Sequence, residues 1–244
     1  MRTRRTGEAE GPLGTLAREV EGCRLCPRLV AFREEVARTK RRAYRDEVYW
    51  GRPVPGFGDP RGWLLIVGLA PAAHGANRTG RMFTGDSSGD FLYAALHRAE
   101  IASQARSEYR GDGLVLQGSF VTAAARCAPP ANRPSEEELA ACAPFLDREL
   151  AVLEPRVVLA LGAIAFHAVL GSFARAGIRV PRPRPRFAHA AVLELPEAPA
   201  LVASYHVSRQ NTQTGRLTPA MFDAVIARAV ELGERPRHGR KAWE

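Results

Sequence analysis

Three groups of residues in this chain have types and spacings that could do chemistry: four cysteines, a glycine-rich loop and a histidine leading a polar run. Cys23 and Cys26 form a C-x2-C pair, and Cys127 and Cys142 a C-x14-C pair. Four thiolates closed by a fold suit either zinc or a [4Fe–4S] cluster. Zinc templates carry two C-x2-C knuckles, whereas this chain has one, and the wide second spacing loosely favours iron–sulfur. The competing reading makes Cys142 an inert core residue on its apolar stripe.

The second group runs from Gly68 to Asp86, with Gly75, Gly80 and Gly85 inside it and His74, Asn77 and Phe83 interspersed. Glycines placed directly after a core strand let backbone N–H groups approach a ligand, and a phosphate or a developing anion would suit them. The loop lacks the G-x-x-x-x-G-K-[ST] pattern of a P-loop. His206 leads the third group, Ser208-Arg-Gln-Asn211, whose amides and arginine suit contacts with bases or phosphates. A histidine more often serves structure, but one emerging at the carboxyl end of a strand is well placed for chemistry.

These groups need a frame, and four short apolar runs supply one. Segments 63–68, 119–122, 157–161 and 201–205 each end in glycine or near a polar residue, as buried parallel strands do. Between them lie helical patterns. Ser135 and Glu138 make a capping box ahead of Leu139, Cys142, Leu146, Leu150 and Leu153. A further helix should follow Leu217, with Met221, Val225 and Ala229 on one face. Asp86 and Asp90 are placed to begin a helix rather than to hold Mg2+. In an open α/β sheet, ligands bind beyond the carboxyl ends of the strands, and the loop, the Cys127 turn and His206 all follow such ends.

The chain of 244 residues fits a single α/β domain over residues 13–233, with loose charged tails at 1–12 and 234–244. Charged residues are 25% and hydrophobic ones 45%, which excludes wholesale disorder. No apolar run is long enough to span a membrane and no apolar segment follows the N-terminus, so a cytoplasmic protein is expected. The net charge of +9 suits a polyanionic partner such as nucleic acid. Arginine-rich composition by itself is the blander explanation.

At the two loops the sequence becomes recognisable. Gly68–Asp86 resembles the uracil-recognition motif of uracil-DNA glycosylases, and the segment from His206 resembles their His-Pro-Ser motif with Val207 in place of proline. With the four cysteines and Cys127-Ala-Pro-Pro-Ala-Asn-Arg-Pro134, the chain is most similar to the iron–sulfur family 5 (type b) uracil-DNA glycosylases, from about Leu16 to Glu231. The resemblance implies a three-layer α/β/α fold around a four-stranded parallel sheet. It also implies a [4Fe–4S] cluster on Cys23, Cys26, Cys127 and Cys142.

The resemblance further implies excision of uracil from DNA by a monomeric enzyme that leaves an abasic site. Phe83 would stack on the flipped base, backbone N–H groups around Leu69 and Ala70 would face its O2 edge, and His206 would donate to O2. Ala70 stands where better-known relatives carry a water-activating aspartate, which leaves Asn77 and Asn132 as candidates to position water. Ala123 stands where uracil-selective relatives carry asparagine, so hypoxanthine should also be accepted. Ser208, Arg209, Gln210 and Asn211 would contact DNA. The alternative from a different class is a non-catalytic, metal-stabilised nucleic-acid-binding protein. It accounts for the charge and cysteines but has no use for Phe83 and His206. Strand cleavage through a Schiff base is not expected, because neither lysine, Lys40 nor Lys241, falls in a motif.

Overall fold

A computed structural model describes residues 11–235. Four five-residue strands, β2 (Leu64–Gly68), β3 (Ser119–Ala123), β4 (Val157–Leu161) and β6 (Ala200–Ser204), pair in parallel in the order β3-β2-β4-β6. The expected four-stranded parallel sheet is therefore present. It is extended at each edge by an antiparallel two-residue strand, β1 (Phe57–Gly58) beside β3 and β5 (Val192–Leu193) beside β6. Sequence patterning missed both edges, because two residues cannot display an alternation.

Alternation along the four central strands sends side chains to two separate cores. Leu64, Ile66, Val121, Val157, Leu159 and Val202 face α4 (Ser87–Arg98) and α8 (Pro219–Glu234). Leu65, Val67, Phe120, Val158, Ala160 and Leu201 face α5 (Glu136–Leu153) and α6 (Ala163–Arg175). Both faces are dry, which is why the strands read as continuous apolar runs. The result is the expected three-layer α/β/α arrangement.

Helix boundaries follow local chemistry. Asp86 caps α4 by accepting from the Ser88 and Gly89 N–H groups, as its sequence position suggested. The capping box of α5 is complete: Ser135 Oγ accepts from the Glu138 N–H and Glu138 Oε2 from the Ser135 N–H. Before the sheet come α1 (Pro12–Gly22) and α2 (Pro27–Thr39), each opened by proline. Two short helices complete the set, α3 (Ala76–Thr79) in the glycine-rich loop and α7 (Arg209–Gln213) after His206. The tail boundaries shift accordingly, since Pro12 already begins α1 and Glu234 still belongs to α8. The remainder of the two expected tails, residues 1–10 and 236–244, lies outside the described residues. Among the described residues no helix is long and apolar enough to cross a membrane.

One buried ion pair fastens the loop after β3 to the helical layer. Arg126 Nη2 donates to Glu149 Oε2 of α5 at 2.7 Å, both side chains are buried, and the same guanidinium bonds Thr122 Oγ1. Removing one partner strands a buried charge, which costs far more than the pair contributes. Glu149→Leu should therefore lower unfolding free energy by about 3–5 kcal/mol in denaturant titration. Adding Arg126→Met should recover a substantial part of that loss, and a double variant no better than the single would place the cost elsewhere.

Candidate active site

The strand order changes direction between β2 and β4, so the loops leaving their carboxyl ends diverge and open a crevice there. Two rings occupy it. Phe83 lies directly over Gly68, the last residue of β2, where a Cβ would come within 2.5 Å of the ring. His206 lies beside Gly162, the first residue after β4, where a Cβ would sit 3.2 Å from the histidine Cβ. Gly162 also has a φ of +96°, a conformation that side chains avoid. The two ring centroids are 6.4 Å apart and inclined by 34°.

The Phe83 backbone is itself left-handed, with φ at +52°. Such a conformation costs on the order of 1 kcal/mol and persists only where neighbours dictate it. Here they do. The Tyr93 hydroxyl donates to the Met82 carbonyl at 2.9 Å, and a Cβ on Gly89 would overlap the Phe83 carbonyl. Arg78 donates to the carbonyls of His74 and Gly85, both at 2.9 Å. Arg81 bonds Thr84, Ser107 and Asp112. The glycine-rich loop is thus a rigid cradle, and Phe83 keeps 9% of its surface exposed.

His206 is held by its backbone. Asn211 Nδ2 donates to the His206 carbonyl at 2.8 Å, and Ser208 accepts from the Asn211 N–H at the start of α7. Burial pulls the His206 ionisation down to about 4, so the imidazole is neutral at neutral pH. A neutral imidazole carries one N–H donor and no charge of its own.

Other expected site residues fall into place unevenly. Leu69 and Ala70 are half-buried at the mouth of the crevice. Ala123 ends β3, paired with Gly68, and is buried in the same core as Phe83. Arg209 and Gln210 are exposed on the first turn of α7, whereas Ser208 and Asn211 are occupied with the cap and the His206 carbonyl. Asn132 is exposed in a tight turn after Cys127, at a φ of +54°. Asn77 is buried, and its Oδ1 has no hydrogen-bond partner among the described residues. Its Nδ2 donates to the Arg33 and Ala73 carbonyls at 3.2 and 3.4 Å, so it staples the loop to α2. His74 meets the Tyr49 hydroxyl at 3.0 Å.

The cysteines come from three segments, with Cys23 and Cys26 between α1 and α2, Cys127 after β3 and Cys142 on α5. All four are free thiols, and each lies within electrostatic reach of at least two others. Burial raises the Cys26 and Cys142 thiols and pushes Cys127 up to about 11. Arg33, 1% exposed, donates Nη1 to Cys127 Sγ at 2.9 Å and also reaches the Cys23 carbonyl, while its Nε has no partner. A buried guanidinium of this kind suits negatively charged sulfur. As the side chains stand, no group of three or more His, Cys, Asp or Glu among the described residues could hold a metal ion.

Sequence reasoning missed Gly162, Arg33 and the Arg126–Glu149 pair. Gly162 had a signal, a glycine closing an apolar run. Buried arginines had none, because arginine is ordinarily a surface residue.

Comparison with known proteins agrees with this geometry. The family model of the uracil DNA glycosylase superfamily matches residues 55–229. A Type-5 uracil-DNA glycosylase of Thermus thermophilus is 57% identical over 211 residues, covering 86% of this chain and 93% of the relative. One from Mycobacterium leprae is 50% identical over 224 residues, covering 91% and 96%. A Type-4 uracil-DNA glycosylase of Pyrobaculum aerophilum is 37% identical over 123 residues, covering 50% of this chain and 55% of its own. The chain belongs to the uracil DNA glycosylase superfamily.

The buried imidazole makes a pH prediction. An unfolded histidine titrates near 6.5 and folded His206 near 4, so between these values the unfolded chain binds a proton that the folded one lacks. Burial lowers His74, His167 and His189 as well. Stability should therefore be full above pH 6.5 and decline from there towards pH 4. Imidazole NMR should show His206 neutral at pH 5, and a midpoint at 6 or above would contradict its burial.

Proposed function

We propose that the protein is a DNA-repair glycosylase that hydrolyses the N-glycosidic bond of uracil in DNA. The observation that carries this reading is the pairing of Phe83 and His206 over bare glycine backbone at the carboxyl ends of β2 and β4. A flipped base meets an aromatic wall on one side and a desolvated N–H donor beside it. The names and extensive identity of the relatives support the same reaction.

Phe83 stacks on the base and excludes water from its face. As the bond from C1′ to the base nitrogen breaks, negative charge grows on O2. The His206 N–H and the backbone N–H groups of Leu69 and Ala70 take up that charge. A neutral donor suits this work, because it stabilises charge only as charge appears. Water adds its oxygen to C1′, the base leaves with the proton, and the product is an abasic site. Asn132, exposed, and Asn77, whose Oδ1 has no partner among the described residues, are the asparagine candidates to position water. Ala123 offers no amide to read a base edge, so hypoxanthine joins uracil among the substrates. Arg209 and Gln210 meet DNA next to the flipped base, and the enzyme acts as a monomer in the cytoplasm. Neither lysine, Lys40 nor Lys241, falls in the loops at the carboxyl ends of the strands, which supports a monofunctional enzyme without a Schiff base.

Cys23, Cys26, Cys127 and Cys142 would hold a [4Fe–4S] cluster, which when bound cross-links the first two helices to β3 and α5. Four thiols from three segments, with the buried Arg33 guanidinium donating to Cys127 Sγ, suit a group bound by thiolates, and the resemblance to the iron–sulfur class favours the cluster over zinc. Metal analysis of purified protein should find about four irons per chain. Equimolar zinc in active, colourless protein would overturn the assignment.

The function is tested by incubating the wild type with uracil-containing duplex and cleaving the abasic product with alkali. His206→Ala should slow single-turnover excision by about a hundredfold or more while DNA affinity stays within about threefold. DNA binding without any excision by the wild type would favour a non-catalytic binding protein instead.

A further inference from the structure

The residue immediately before His206 is fastened in an unusual way. Beyond β5 the chain continues antiparallel to β6, with the Ala203 N–H donating to the Ala191 carbonyl at 2.9 Å and the Ala190 N–H to the Ala203 carbonyl at 2.8 Å. At Ala190 the backbone turns left-handed, with φ at +61°, and the ladder of carbonyls ends. The next donor on this edge of β6 is the Tyr205 N–H. It finds a side chain instead, His189 Nδ1, at 3.1 Å. The His189 ring also stacks on the Tyr205 ring, with centroids 4.7 Å apart and planes 12° from parallel. The Arg216 guanidinium lies over the same tyrosine at 4.6 Å.

A backbone N–H can only donate, so Nδ1 must be the unprotonated nitrogen and the ring proton sits on Nε2. The imidazole thereby stands in for a missing carbonyl and extends the ladder by one rung, to the Ser204–Tyr205 peptide that directly precedes His206. The Ser204–Tyr205 peptide is thus gripped at both ends, its carbonyl by the Gly162 N–H at 2.8 Å and its N–H by His189, while Ser204 Oγ on the Tyr205 carbonyl and Asn211 on the His206 carbonyl hold the two peptides that follow. We propose that His189 is a positioning residue for excision, whose Nδ1 lone pair fixes the Tyr205 peptide and through it the direction of the His206 donor. The proposal rests on the catalytic part assigned to His206 and adds a residue that touches neither base nor DNA. Transition-state donors tolerate little displacement, and a shift of about 1 Å can cost a hundredfold in rate.

Three variants separate the lone pair from the stack. His189→Ala removes both. His189→Phe keeps a ring for Tyr205 but has no acceptor. His189→Asn loses the ring but places Oδ1 where Nδ1 stood. If the lone pair positions His206, Ala and Phe should both slow single-turnover excision by about tenfold or more, at unchanged DNA affinity. Asn should remain within about threefold of the wild type. Amide exchange at Tyr205, read without any reaction, should accelerate about tenfold in Ala and Phe and stay protected in Asn. Equal slowing in Asn and Ala, full activity in Phe, or unchanged exchange in Ala would each overturn the proposal. A wild type that excises no uracil would count against the assigned function, leaving the exchange measurements to judge the anchoring of Tyr205.

Discussion

The absence of a Cβ at two points, Gly68 and Gly162, is the constraint on which the rest of the site depends. The sheet is buried on both faces, and at its carboxyl edge two glycines leave backbone bare of side chains. At that edge Gly68 admits the Phe83 ring against β2, and Gly162 admits His206 against the end of β4. A methyl group at Gly68 would overlap the Phe83 ring, and one at Gly162 would crowd His206 from a backbone conformation that side chains avoid. The desolvation that keeps His206 neutral follows from the same closeness, since a ring pressed onto backbone loses its water. Geometry and electrostatics at the site therefore have one cause.

Rigid loops were needed to exploit that edge, and arginine supplies them. Positive charge in this chain is nearly all arginine, with lysine only at Lys40 and Lys241. Several of these guanidiniums do not face outward. Arg78, Arg81 and Arg126 are buried, each bonded to a carboxylate and to loop or strand groups around the site. A planar fork with five donors can satisfy several loop carbonyls and hydroxyls at once, which an ammonium cannot do with the same geometry. The net charge of +9 thus overstates what is free to meet DNA in one respect, because part of the arginine content holds the recognition loop. Exposed members such as Arg209 carry the surface part.

Much of this was legible in the sequence, and the reasons are physical. Strands buried on both faces leave continuous apolar runs, so all four central strands were readable within a residue or two. The capping box at Ser135 and the cap at Asp86 were readable because their chemistry is local. The edge strands were too short to carry a pattern. At the site, Phe83 and His206 stood out through position and resemblance, whereas their supports did not. The Tyr205 N–H meets a side chain sixteen residues earlier in the chain, a pairing that only the β5–β6 turn creates. The part Asn77 plays in fastening the loop was hidden for a related reason. A polar residue in a glycine-rich loop suggests chemistry, but its environment is set by α2, some forty residues away.

That same Asn77 shows why the cysteines belong to the enzyme and not merely to its surface. Its carbonyl accepts from the Gly51 N–H, and its amide reaches the Arg33 carbonyl. Arg33 in turn donates to Cys127 Sγ and the Cys23 carbonyl. The recognition loop, α2, the N-terminal cysteine pair and the turn after β3 are therefore joined by one buried run of hydrogen bonds. Each link is worth about 1 kcal/mol net, more where the guanidinium takes part, yet leaving any of these buried groups unpaired would cost more. The turn that carries Cys127 and the loop that carries Phe83 thus share one support, the Arg33 residue of α2, through its side chain on one side and its carbonyl on the other.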